Sequence, residues 1–204
     1  MTYFQRLGGG YNGEPSIFDD INKDDLIIAF FPCIYFCCMS QMDMSWTAKN
    51  YRKLSDKDKA DAILKRSENR EEFFRLLVQL FAIAKMRGLR LIIENPWSQQ
   101  TFLKNGNFII PPTFVDNNRM VRGDYFVKPT AYWFVNCECT NGFTMQKDKK
   151  QKSIINAKSG AYAGLCSEER SMISPDYARN FICDFILGKS QPDVDPNIFD
   201  FNYE

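Results

Sequence analysis

Two short apolar runs separated by one long amphipathic stretch constrain this chain more than any other feature. Leu26 to Phe31 and Leu89 to Ile93 are short, largely apolar runs, the first of them apolar on both alternating faces. A strand of that kind is buried on both sides, which suits the interior of a parallel sheet. Between the runs, from about Asp58 to Met86, Phe73, Leu76, Leu77, Leu80, Phe81 and Ala84 recur at helical spacings and form one apolar face. Gly88 fits a helix stop. Strand, crossover helix and strand make a βαβ unit, whose hand is expected to be right-handed. The apolar helix face is expected to serve packing against the sheet rather than binding.

Each run also stops at a chemically useful group. The first ends in Phe31-Pro32-Cys33 and the second in Glu94-Asn95-Pro96. Ligands of open α/β sheets lie outside the carboxyl ends of the strands, so both groups are expected to face one crevice. A thiol and a carboxylic acid brought together there can run nucleophilic and acid–base chemistry on one substrate. Taken alone, the same residues have plainer readings. Cys33 fits a core cysteine, Glu94 a helix cap or an arginine partner, and Asn95-Pro96 a turn that ends a strand.

Composition removes several alternatives. The chain has 204 residues, enough for one domain with a substantial core, and its formal net charge is +1, so no global field draws it to nucleic acid. It has no histidine, which excludes Ser-His-Asp and Cys-His catalysis and every imidazole metal site. Seven cysteines without the spacing of a disulfide framework suggest a reducing, cytoplasmic setting. Cys33, Cys37, Cys38, Cys137 and Cys139 are conceivable zinc ligands, but no Cys-x-x-Cys pair exists, and buried apolar cysteines are the simpler reading. Leu26 to Met39 is broken by Pro32, so no membrane span is expected, and the polar, glycine-rich Met1 to Gly13 does not read as a signal peptide.

The remaining segments read as follows. Residues 1–16 form an irregular start around Gly8-Gly9-Gly10, and Ile17 to Ile21 a short strand ending in acids. Ser40 to Asp61 is a loop with a helical piece, Thr101 to Phe114 is irregular and extended, and Ala131 to Val135 is a further strand. Trp46 and Trp97 read as packing residues, and the lysine run in 146–153 as a solvated loop. Ser174-Pro175-Asp176 opens a helix to about Leu187, with Ser174 at the N-cap. An acidic and aromatic tail occupies 191–204.

The order of these pieces resembles the DNA cytosine-5 methyltransferase family, especially short phage-like and prophage-like DNA methylases. The matching pieces are Asp25 to Cys33 with Phe36 following, Ile92-Ile93-Glu94-Asn95-Pro96, and Lys128-Pro129-Thr130-Ala131-Tyr132-Trp133-Phe134. Arg170 to Arg179 is similar to the family's late Arg-Ser…Pro…Ala helix entry. The likeness covers roughly residues 17–188, in patches. It implies an α/β fold, a mostly parallel Rossmann-like sheet flanked by helices, with 17–190 as a single methyltransferase-like domain.

The resemblance implies chemistry as well. Cys33 would attack carbon 6 of a cytosine in DNA, and Glu94 would protonate or hydrogen-bond ring nitrogen 3. S-adenosylmethionine would supply the methyl group to carbon 5. Asn95 would hold the loop after its strand and shape the cytosine pocket, and Pro32 would stiffen the turn bearing the nucleophile. Phe36 and Pro96 would line the substrate site, while Arg119 and Arg122 would contact the base or its phosphate, although their spacing differs from the family's alternating pair. Asp20 with Ile21 falls where the family's acidic residue meets the cofactor adenine.

The family's strand and Gly-x-Gly turn belong well upstream of the Pro-Cys motif. Here 32 residues precede Cys33, and Gly8-Gly9-Gly10 has no apolar strand before it. The resemblance therefore implies a fold truncated relative to a full methyltransferase, with a companion subunit or a second copy in a homodimer completing the cofactor site. The alternative is a catalytically inactive relative that binds DNA or a partner.

Overall fold

Strand β1 (Leu26–Phe30) and strand β2 (Arg90–Pro96) lie side by side and parallel, joined through helix α1 (Asp56–Arg87). The computed structural model describes residues 18–31, 33–37, 42–98, 101–108, 110–146 and 172–189. The protein is an α/β chain with helices and a four-stranded sheet in the order β1-β2-β4-β3, where β3 is Phe114–Asp116 and β4 is Thr130–Val135. Because β4 pairs antiparallel to β2, the sheet is mixed rather than mostly parallel. Among the described residues no helix is long and apolar enough to cross a membrane.

The chain falls into two compact units: Met1–Val115 with Thr130–Cys137, and Asp116–Pro129 with Glu138–Glu204. In the first unit α1 begins at Ser55, whose hydroxyl oxygen accepts a hydrogen bond from the Asp58 amide and satisfies a donor that the helix start leaves over. It ends at Gly88, which adopts φ +67°, a conformation that costs a residue with a side chain more. The Asn136 amide then donates to the carbonyls of Ala84 and Leu89, tying the end of α1 to the segment after β4. Leu76, Leu77, Leu80, Phe81 and Ala84 are buried, with Phe73 packed beside them, as the spacing predicts.

Alternation divides β2 between the faces of the sheet. Leu91 and Ile93 enter the core with α1, beside their β4 partners Val135 and Trp133. Ile92 and Glu94 point to the other face, and Leu91 through Asn95 are all buried. A strand covered on both sides needs a nearly continuous apolar run, which is why this stretch is so readable.

The second unit is organised by charge. Asp184 is fully buried and accepts from Arg122 Nε at 3.2 Å, from the Thr144 amide at 2.8 Å and from the Thr144 hydroxyl at 2.7 Å. Arg122 also donates to Asp116 at 3.0 Å, and the Tyr177 hydroxyl donates to the same carboxylate oxygen at 3.2 Å. Tyr177 belongs to helix α2 (Pro175–Phe181), which runs on into a wide helical turn, Ile182–Leu187. The carbonyls of Asp184 and Phe185, left over at the end of that turn, accept from the backbone amides of Gly142 and Thr140. Gly142 lies so close that an added Cβ would sit 2.6 Å from the Asp184 Cα, so only glycine fits.

Several expectations need correction. Phe18 to Asp20 form a turn rather than a strand, since the Ile21 amide bonds back to the Phe18 carbonyl; Ile17 lies outside the described residues. Within the expected extended stretch, Leu103–Asn107 curls into a wide helical turn. Ser174 stands at the start of α2, but its hydroxyl donates to the Gly123 carbonyl instead of capping the helix. The triple glycine, the lysines of 147–153 and the 191–204 tail lie outside the described residues.

Removing the Asp184 carboxylate takes one of two ion-pair partners from the half-buried Arg122 guanidinium and removes the acceptor of the buried Thr144 amide and hydroxyl. Asp184→Ala is expected to lower stability by about 3–5 kcal/mol, read by urea unfolding followed by circular dichroism. A loss below about 1 kcal/mol would mean that Asp116 alone satisfies Arg122.

Candidate active site

The parallel register decides where the two strand endings meet. Phe30 at the end of β1 is paired with Glu94 in β2, so the chain leaves β1 at the sheet end where Glu94 lies. Three residues on, Cys33 opens a tight helical turn, Cys33–Tyr35. Its carbonyl accepts from the amides of both Phe36 and Cys37, each at 2.9 Å. Cys33 itself is half-buried rather than sealed in the core. Pro32 lies outside the described residues.

The turn is pinned by rings on either side of the thiol. Phe31 and Phe36 are both buried and stack at 6.3 Å, and Phe36 stacks on Phe102 at 5.9 Å. The Phe102 amide donates to the Phe36 carbonyl at 2.9 Å, linking the 101–107 segment to the turn. Phe36 is thus a core anchor of the site, with no exposed surface to offer a ligand.

Glu94 is 7% exposed and lies on the sheet face between Phe30 of β1, which is 60% exposed, and the buried Tyr132 of β4. Asn95 points to the opposite face, beside Ala131, and has no exposed surface. Neither the oxygen nor the nitrogen of its side-chain amide has a hydrogen-bond partner among the described residues. A buried amide in that state costs stability, and sites of binding or catalysis are one place where such groups persist. Pro96, half-buried, ends β2 opposite Thr130.

Asp20 is exposed on the turn before β1, while Ile21 is half-buried and packs against the core. Arg119 and Arg122 belong to the second unit. Arg119 is fully buried, paired with Asp124, and its guanidinium lies 4.2 Å from the centre of the Tyr177 ring. Arg122 bridges Asp116 and Asp184. Both guanidinium groups are therefore engaged in internal ion pairs. Trp97 packs edge-on against Trp133 at 5.7 Å, and Trp46 is 48% exposed.

One residue of the site escapes the sequence reading. Arg70 extends from α1 to the Cys33 turn, where its Nε donates to the Tyr35 carbonyl at 3.1 Å. Burial foremost, and then the like charge of Arg66, disfavour its protonated form, while Cys37 favours it. Its position was a signal: Arg70 precedes Phe73 by three and Leu77 by seven, so it sits on the apolar face.

Among the described residues no three cysteine, aspartate or glutamate side chains converge as metal ligands; Cys38 lies outside them. No protein-family model matches the chain, no curated protein matches its sequence, and no solved structure matches it.

The arrangement offers a half-buried thiol on a ring-packed turn and a buried carboxyl at the end of the adjacent strand. Burial pushes the Cys137 and Cys183 thiols up from the ordinary range, which lowers their thiolate fraction at neutral pH. In the folded chain at neutral pH, alkylation by iodoacetamide is expected to reach Cys33 before Cys183, as mapped by peptide mass spectrometry. Equal rates at the two would show that the turn does not present its thiol.

Proposed function

We propose that the chain is a DNA cytosine-5 methyltransferase-like protein with a Rossmann-like fold that acts in the cytoplasm on DNA. The observation that carries this reading is the parallel register of β1 and β2, which brings the Cys33 turn and Glu94 to one end of the sheet. A thiol and an acid at neighbouring strand ends suit an attack on an electron-poor ring whose nitrogen is protonated or hydrogen-bonded as the new bond forms.

In this reading a cytosine leaves the duplex stack at a cost of a few kcal/mol, offset by contacts in the site. Cys33 sulfur bonds to carbon 6, and Glu94 hands a proton or hydrogen bond to nitrogen 3, so negative charge does not build on the ring. Carbon 5 becomes nucleophilic and takes a methyl group, which S-adenosylmethionine supplies when bound. A solvent base then takes the carbon 5 proton, Cys33 leaves carbon 6 as thiolate, and nitrogen 3 returns any proton it took to Glu94, which restores the aromatic ring. Pro32, Phe36, Asn95 and Pro96 shape the site, Phe36 from within the core.

For the cofactor, the exposed carboxylate of Asp20 beside the apolar Ile21 suits the polar edge and flat face of an adenine. A companion subunit, or a second copy of this chain, completes the site around the rest of the cofactor. One observation favours a second reading, an inactive relative that binds DNA or a partner. Arg119 and Arg122, which the resemblance assigns to base or phosphate, are held in ion pairs with Asp124, Asp116 and Asp184.

Duplex DNA carrying 5-fluorocytosine separates the two readings, because fluorine at carbon 5 cannot leave as a proton does and the thioether persists. With S-adenosylmethionine, the chain is expected to form a covalent adduct that Cys33→Ala abolishes and Glu94→Gln slows by about 10²–10⁴-fold. An adduct that survives Cys33→Ala would remove Cys33 as nucleophile. DNA binding without any adduct would favour the inactive relative.

A further inference from the structure

We infer that Arg70 is a positioning residue for the turn that carries Cys33. Its side chain is 8% exposed, Nε donates to the Tyr35 carbonyl at 3.1 Å, and the guanidinium carbon lies 5.0 Å from the centre of the Phe102 ring. Nη2 is buried without a hydrogen-bond partner among the described residues, and none of the ion pairs found there includes Arg70. The neighbouring helical residue one turn back, Arg66, is a like charge directed to Asp43.

A charge buried with so little compensation is a poor way to stabilise a helix face. An apolar side chain of similar length commonly leaves stability equal or higher at such a site. What an apolar side chain cannot do is hold the Tyr35 carbonyl, two residues beyond Cys33 and in the same turn. Arg70 thereby fastens the turn to a 32-residue helix that is anchored in the core by Leu76, Leu77, Leu80, Phe81 and Ala84. Ring stacking by Phe36 and Phe102 fixes the turn from one side; Arg70 fixes it from α1. A nucleophile must sit within a fraction of an ångström of its line of attack, and a slip of about 1 Å can cost about 100-fold in rate.

The consequence for catalysis rests on the reading of Cys33 as the nucleophile; the tether itself does not. The full chain is compared as wild type, Arg70→Met and Arg70→Lys by melting temperature, by iodoacetamide alkylation of Cys33 relative to Cys137, and by adduct formation on 5-fluorocytosine DNA. Arg70→Met is expected to melt at the same temperature or higher. It should also shift the Cys33-to-Cys137 ratio by about fivefold or more and slow adduct formation by about tenfold or more, with DNA affinity unchanged. Arg70→Lys keeps a donor and a charge, and should stay within about threefold of wild type in both readouts. A folded Arg70→Met chain with wild-type ratio and rate would overturn the inference, as would an Arg70→Lys chain as impaired as Arg70→Met.

Should Arg70→Met fail to fold, nitrogen-15 NMR of the wild-type chain decides. The Arg70 Nε–H, assigned by its loss in Arg70→Lys, should exchange slowly with solvent; exchange as fast as that of an exposed arginine would overturn the tether. A wild-type chain that forms no adduct, yet whose alkylation ratio responds to Arg70→Met, sinks methyl transfer by this chain alone and leaves the positioning role standing.

Discussion

The pairing of β2 with both of its neighbours is the constraint on which the site depends. Its backbone is held by β1 on one side and β4 on the other, and its side chains are buried on both faces. Sliding β1 by one residue would exchange the faces of Ile27, Ala29 and their neighbours, and would move the Cys33 turn away from Glu94 by a residue's rise. The hydrophobic pattern that specifies the register therefore also specifies the geometry of the candidate site.

Charge does in the second unit what apolar packing does in the first. Asp184, Arg122, Asp116 and Tyr177 join α2 to segments far from it in sequence through directional bonds. Ion pairs taken out of water add less net stability than their short distances suggest, but removing one member is costly because the other stays behind. Such a network fixes one arrangement more firmly than it lowers free energy. Arg119 and Arg122, suited by chemistry to anionic ligands, are used here as internal ties.

The first two strands were legible from their apolar runs, and the crossover helix from its periodicity. Arg90–Pro96 and α1 stand where a continuous apolar run and a 3.6-residue repeat place them, and Gly88 ends α1 as expected. Strand β1, expected inside the sheet and buried on both faces, is instead a half-buried edge strand among the described residues. Helix α1 starts at Ser55, ahead of the expected Asp58. The direction of β4 was not legible, since Ala131 to Val135 has the same pattern whether it pairs parallel or antiparallel. The turn at Phe18 to Asp20 was missed because Ile17, Phe18 and Ile21 are apolar whatever they form. The places of Cys33, Glu94 and Asn95 at or just beyond strand ends were legible from the apolar runs that precede them. Arg70 could be noticed as a charge in the apolar stripe, but its role depends on its partner, the Tyr35 carbonyl, which is known only from the folded chain.

The two halves of the site hang from supports of unequal stiffness. Glu94 belongs to a strand bonded on both sides, whereas Cys33 follows a strand that, among the described residues, is bonded on one side only. Local opening draws on the least-bonded elements first, so fluctuations that loosen β1 carry the thiol with them while the carboxyl stays in register. The acid is the fixed point of the pair, and the thiol is the part whose position the molecule must spend contacts to control.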